Sequence, residues 1–504
     1  MPELVSTVPR PGPGRYDGRG DKAGLDVSGG SGEVLRVLHL AGVFFQCLGD
    51  ADHEGGENGS QSQNVAVSVS LKYGNLVETL VTIDLERPAW EQEGMHNRWH
   101  PDIPCYKKIK QNRAYKIECY DWTGGQIGNN DSADDIKYCD LTKIHYLSGP
   151  FEVEDAEKGD VLVVEIQDVQ PLERQPWGYC GIFAKENGGG FLDKHYPKAA
   201  KAVFDFEGIH CSSRHIAGVR FAGLVHPGII GTAPSHEILA EWTRRETELV
   251  ESNPDADFVM ANLPTGHGAY AGACASELQS KLACGGRTIP GRPENGGNCD
   301  IKNLSRGSKV YLPVNVDGAK LSVGDLHFSQ GDGEISFCGA IEMCGSITLK
   351  CSVLKKGMFK LNMKSPMYLP GPVENHYGPG RYLTFEGFSV DEDGKQLCLD
   401  TTVAYRQTCL RAIEYLRRYG YNDYQVYLLL SCAPIQGHIA GIVDVPNSCT
   451  TIGLPMDIFV FDISPEKDVV RRDLGNCAFA KDDLEKGFPL CDELPNFLLD
   501  SITK

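Results

Sequence analysis

Short runs in which apolar residues recur at every second position, closed off by glycine-bearing turns, dominate this sequence. Thr79-Leu-Val-Thr-Ile-Asp-Leu85, Tyr115-Lys-Ile-Glu-Cys-Tyr120, Val161-Leu-Val-Val-Glu-Ile166, Val310-Tyr-Leu-Pro-Val-Asn-Val316 and Ile347-Thr-Leu-Lys-Cys-Ser-Val353 read as strands, because a two-residue period sends side chains to opposite faces of an extended chain. Lys158-Gly-Asp160 and Asp391-Glu-Asp-Gly394 are turn signals, the second a hairpin turn after Phe385 to Val390. The 57 glycines and 28 prolines fit a chain of many turns. The fold class is therefore expected to be mainly β with inserted α-helices, or α+β if the helices are counted. One helix is expected from Ser235, as N-cap, to Ser252. A second runs over Thr402 to Tyr419, with Cys409, Ile413 and Leu416 on one face and Gly420 to end it. Asn422 caps a third through Leu430.

At 504 residues the chain is long enough for two or three subdomains. Residues 1–75 form a low-complexity extension rich in Pro, Gly and Ser, which buries too little apolar area to offset the entropy of ordering. Residues 76–473 hold the patterned region, and 474–504 an acidic tail. A formal net charge of −19 repels phosphate backbones and argues against a nucleic-acid partner. The most apolar stretch near the N-terminus, Val34 to Phe45, contains Arg36 and His39 and is too short to span a bilayer. No basic start followed by an apolar block marks a signal peptide. The 18 cysteines are scattered, with no Cys-x-x-Cys, and are expected to be reduced, buried thiols of a cytoplasmic protein.

Ionisable residues and glycines concentrate between Gly296 and Glu342. Asp325 and His327 are two apart, so on a strand they share a face. Gly331-Asp332-Gly333 is a tight turn that presents Asp332, and Glu334 opens an alternating Ile335, Phe337 run. Folded as a hairpin, this segment gathers Asp325, His327, Asp332 and Glu334, with Glu342 one strand further on. Carboxylates with an imidazole suit a divalent metal such as zinc, and a spare carboxylate can move protons. Asp-Gly pairs are also ordinary turn chemistry. His145 could equally be a satisfied core histidine, and Trp99 a packing residue. No His-Glu-x-x-His zinc helix and no Gly-x-Ser-x-Gly elbow occurs.

Six segments, His96-Asn-Arg-Trp-His-Pro-Asp-Ile-Pro104, Tyr120 to Gln126, His145 to Pro150, Gly296 to Arg306, Gly324 to Glu334 and Cys338-Gly-Ala-Ile-Glu342, resemble in order the motifs of the acetamidase/formamidase family. The likeness runs from about Leu76 to Pro465 and is nearest the formamidase branch. It implies hydrolysis of formamide to formate and ammonia, a β-sandwich with a barrel-like part, a bound divalent metal, zinc first, and a homo-oligomer. Carried over residue by residue, the metal and acid–base set is Asp300, Asp325, His327, Asp332, Glu334 and Glu342. Asp300, Asp325, His327 and Glu342 are the candidate metal ligands, and Glu334 and Asp332 the candidate catalytic carboxylates. His96, His100 and Trp122 are candidate substrate-binding residues.

An amide is a weak electrophile, so hydrolysis calls for carbonyl polarisation and activated water. Glu334 is expected to take the water's proton and pass it to the leaving nitrogen. Gln126, or an N–H of the Gly331 to Gly333 turn, is expected to hold the oxyanion. Two other readings stay open at this level: a metal-dependent hydrolase of another small C–N substrate, and a non-catalytic β-rich binding protein.

Overall fold

The computed structural model describes residues 77–254, 263–272, 276–371 and 380–485. The extension expected over 1–75, and residues 486–504 of the expected tail, lie outside the described residues. Residues 474–485 of that tail belong to the fold: Ala478–Phe479 pairs with the strand Ala200–Glu207, and Asp483 is buried against Lys137 at 3.0 Å.

Two sheets make the body. The smaller has six strands in the order Glu78–Val81, Ala114–Cys119, Gly345–Leu354, Val161–Pro171, Lys309–Pro313, Met367–Leu369. The larger has twelve and includes Ala200–Glu207, Trp177–Ile182, Cys338–Met343, Leu321–His327, His226–Gly231 and Gly296–Asn298 as consecutive neighbours. The alternation seen in the sequence now has its cause. Ile117, Val164, Ile166 and Ile347 from the first sheet meet Leu321, Val323, Leu326 and Ile341 from the second in one buried cluster, and an apolar face of this kind supplies the main driving force for folding. A small third sheet, Tyr382–Phe388, Cys449–Pro455, Gln436–Gly441, carries the helix Thr401–Arg417 on it.

The helices start where the capping residues stand. Ser235 accepts a bond from the Ile238 N–H at the head of His236–Ser252, and Asn422 forms a reciprocal capping box with Gln425 at the head of Asp423–Cys432. The second helix is capped by Asp400 rather than entering at Thr402. The first expected strand is shorter than its pattern, ending at Val81. The Asp84 carboxylate accepts the Glu86 N–H and turns the chain there.

One detail of the larger sheet positions the site. Strand Leu321–His327 pairs along one edge with His226–Gly231 throughout. Along its other edge it pairs with Leu147–Val153 as far as Gly324, then with Cys338–Met343 from Leu326 on. Asp325 sits at the fork. The sheet opens there, and the residues just before Leu147 and at the end of Cys338–Met343 reach the gap.

Candidate active site

At the fork the backbone leaves the strand region. Asp325 has φ +54°, Asp300 +46° and Glu334 +42°, left-handed values that non-glycine residues rarely take and that cluster at functional sites. His327 lies directly across from Glu342 in the ladder. Opposite Asp325 stands Gly228, in the register set by Pro227↔Leu326 and Ile229↔Gly324. The Gly228 carbonyl accepts the N–H groups of both Cys299 and Asp300, which holds Asp300 over the same point. A Cβ on Gly228 would lie 2.6 Å from Asp325 Oδ2, 2.6 Å from His327 Cε1 and 2.7 Å from Asp300 Oδ1. Three site side chains thus occupy the space a larger residue would fill.

The result is a cavity of about 30 Å³ lined by Asp300, Asp325, Glu334, Glu342, His145 and Asn298, with Trp122, Ile289 and Phe337 as apolar walls. Around it His327 Nε2 approaches Asp325 Oδ1 to 3.2 Å and Glu342 Oε2 to 3.1 Å. Neither approach has hydrogen-bond alignment: His327 Nε2, Glu342 Oε2 and Asp300 Oδ1 are all buried without a partner. Behind the ring, His226 Nδ1 donates to Leu224 O at 2.6 Å, so its neutral Nε2 is an acceptor. That nitrogen and Gln330 Oε1, at 3.2 and 3.0 Å, share the proton on His327 Nδ1. Gln330 Nε2 in turn donates to Asp300 O. This relay points the other ring nitrogen of His327 at the carboxylates, as supporting shells of metal-ligating histidines do.

The electrostatics are those of a site short of positive charge. Burial, then the Asp325 charge, pushes Asp300 up to about 7. Burial pushes Glu342 up to about 8, with Asp325 and Asp300 adding to it against His327. Glu334 is driven well above the carboxylate range by burial and by Asp300. Burial acts on Asp325 too, but the His327 charge outweighs it and holds Asp325 below its usual value. Burial disfavours the His327 imidazolium, yet Glu342 and Asp325 raise it well above an ordinary histidine. In Asp325–His327–Glu342 and in Asp300–His327–Glu334 the possible ligand atoms lie within 4.8 Å of one another, a donor set that fits a divalent metal.

The expected residues fall into two groups. Asp300, Asp325, His327, Glu334 and Glu342 come together, and Trp122 lines the cavity, its ring 4.9 Å from that of His145. Asp332 does not. The Gly331–Glu334 turn forms, but it aims Glu334 inward and Asp332 at Lys302, 2.5 Å away, and at the Gly437 N–H. Glu334 also does not open a strand; after an isolated bridge between Ser336 and Gly190 the next strand begins at Cys338. Gln126 is no oxyanion donor: its amide clamps Asp140 through both ends, accepting at 2.8 Å and donating at 3.3 Å. His96 is a buried structural histidine, pushed down to about 4 by burial and bonded to Arg98 O and Ser322 Oγ. His100 lies away from the cavity beside Asp102 and the exposed His236. Its Nδ1 accepts the Asp102 N–H, which leaves the proton of the neutral ring on Nε2 and argues against a metal there. The sequence reading missed Asn298, Ile289 and Phe337, and left His145 open. Asn298 was visible, two residues before Asp300 in a Gly-Gly-Asn turn.

Residues 82–461 match the profile of the Acetamidase/Formamidase family. A Schizosaccharomyces pombe protein with formamidase in its name is 74% identical over 80% of this chain and 98% of its own length. The formamidase of Methylophilus methylotrophus is 52% identical over 78% of this chain and 96% of its own. The solved gamma lactamase from Delftia acidovorans is 51% identical, superposes with a TM-score of 0.77, and aligns over 80% of this chain and all of that one. This chain belongs to the acetamidase/formamidase family, hydrolases of small-amide C–N bonds other than peptide bonds.

Proposed function

We propose that the substrate is a very small primary carboxamide, formamide first, and that hydrolysis is assisted by a divalent cation held by Asp325, His327 and Glu342 together with Asp300. The observation that carries this reading is the cavity itself. At about 30 Å³ it has room for roughly two or three water-sized groups, in keeping with the three heavy atoms of formamide. Its polar lining is four carboxylates, Asp300, Asp325, Glu334 and Glu342, with the His145 imidazole and the Asn298 amide. The relative named gamma lactamase supports a second reading, a cyclic amide, which would need the Ile289 and Phe337 walls to move apart.

Zinc is the metal proposed, since one histidine with carboxylates is a set it accepts. When bound, a divalent cation supplies the positive charge that polarises a carbonyl and activates water. The chain supplies the rest. Glu334 takes a proton from the attacking water as the new C–O bond forms. It delivers that proton to nitrogen as the C–N bond breaks, giving formate and ammonia. Burial behind Trp122 and Phe337 keeps competing water away from Glu334 and strengthens its interaction with neighbouring charges.

The test is ammonia release from formamide, acetamide and a γ-lactam, with and without a chelator. Formamide is expected to lead, and the chelator to stop turnover until a divalent ion is restored. In Glu334→Gln the bound metal should persist while kcat falls about 10²- to 10⁴-fold. Unchanged turnover in that variant removes Glu334 from the proton-transfer role, and chelator-insensitive activity removes the cation.

A further inference from the structure

Two side chains that line the cavity each carry a buried polar atom without a partner, and neither has a part in the chemistry assigned above. Asn298 ends the strand Gly296–Asn298. Its Nδ2 donates to Ile289 O at 2.8 Å, which fixes the amide's orientation and leaves Oδ1 buried with nothing to accept. His145 is 6% exposed and packs against Trp122 with the two rings tilted by 44°, and its Nδ1 is buried without a partner. Its main chain is held at both ends: the N–H donates to Thr288 Oγ1 at 2.6 Å, and that hydroxyl donates to the His145 carbonyl at 3.2 Å. The consecutive residues Thr288 and Ile289 therefore hold the His145 backbone and the Asn298 side chain. Buried polar atoms left unsatisfied are costly, and rigidly held ones that line a cavity mark where a ligand supplies the missing bonds.

We propose that Asn298 and His145 recognise the two ends of the carboxamide, Asn298 Oδ1 accepting a substrate N–H and the His145 ring donating to the carbonyl oxygen. The proposal rests on the reading of this cavity as the amide site and adds how the amide is told from its own product. A neutral imidazole carries one N–H, which matches a carbonyl oxygen. Oδ1 can only accept, which matches –NH₂ and opposes a carboxylate oxygen. A site built to pair with an N–H discriminates strongly against a molecule that lacks it, so formate is admitted on the oxygen side alone and leaves.

Asn298→Leu tests this, with Asn298→Ala as the smaller companion should the first fail to fold. The readouts are kcat/KM for formamide and acetamide, and the inhibition constant of formate against ammonia release. With Asn298 replaced, kcat/KM is expected to fall about 10- to 100-fold, while the formate constant is expected to stay the same or fall, because formate has no N–H to lose and no longer faces the opposing oxygen. His145→Phe is expected to weaken both, since the oxygen is common to the two. Equal losses for amide and formate in the Asn298 variants, or no loss in either, overturn the assignment while leaving the hydrolase reading intact. A wild-type protein that releases ammonia from neither amide overturns the functional reading and this inference with it.

Discussion

Gly228→Ala is the sharpest perturbation of the site, because it adds one methyl group where three functional side chains already meet. The added carbon would stand 2.6 Å from Asp325 Oδ2, 2.6 Å from His327 Cε1 and 2.7 Å from Asp300 Oδ1. Carbon–carbon contacts settle near 3.5 to 4.0 Å, so the imidazole alone must retreat by roughly 1 Å. It has nowhere easy to go: His327 Nδ1 is held by His226 and Gln330, and its ladder partner is Glu342. Retreat of the backbone instead would break the bonds that Gly228 O accepts from Cys299 and Asp300. Overpacking of this kind costs about 1–3 kcal/mol of stability. Displacing reacting groups by about 1 Å costs about 10²-fold in rate. The expected result is a folded protein, a few degrees less stable, with kcat/KM on formamide down by about 10² or more and reduced metal by elemental analysis. Gly266→Ala is the control, since its new carbon would meet only Ala283 Cβ at 3.9 Å. Wild-type kcat/KM and metal content in Gly228→Ala would refute the claim that this glycine makes room for the site.

Two further outcomes separate structure from chemistry. Asp332→Asn should keep kcat within about threefold but lower stability by about 1–3 kcal/mol, seen as a lower melting temperature, because it strips the counter-charge from the buried Lys302. Asp160→Asn should show a stability deficit that depends on pH. Burial alone would raise the Asp160 carboxyl, but the Lys355 ammonium and the N–H groups of Lys356 and Glu157 hold it below its usual value. A depressed folded-state pKa contributes stability above the unfolded value of about 3.9 and loses it as pH falls further. The gap between wild type and variant in urea melts should be full at pH 7 and close below about pH 4; a gap that persists in acid would sink this account.

How much of this was written in the sequence depends on which contacts set each feature. Elements set by local pattern were legible. The two-residue period of Val161–Pro171 survives as far as Ile166, because Leu162, Val164 and Ile166 share the face that packs into the core, and it shifts after that where the pairing with Gly345–Leu354 changes register. Ser235 and Asn422 cap where they stand because a cap needs only residues within one turn. The membership of Asp300, Asp325, His327, Glu334 and Glu342 was legible through their motifs. At Gln126 and Asp332 the failure is one of orientation. Gln126 and Asp332 carry functional-looking side chains, and each was already committed to a partner far along the chain, Asp140 and Lys302. No period or spacing encodes such a pairing.

Strand alternation alone could not have built the cluster. In a regular strand Asp325 and His327 would share a face, and Glu334 would lie on a second strand of the same hairpin. Instead the strand changes its neighbour at Asp325, and three of the four carboxylates that line the cavity adopt left-handed backbone. Each such residue costs of order 1 kcal/mol or more, and gathering like charges costs further. A fold keeps an arrangement of that kind only where the surrounding structure over-determines it. Here the Gly228 carbonyl, the Gln330 relay and the Gly331–Glu334 turn do so. The same residues that make the site unfavourable as protein structure leave it with unpaired acceptors and a small gap. A cation and a carboxamide would relieve both at once, so the strain and the proposed chemistry have one origin, the fork in the sheet.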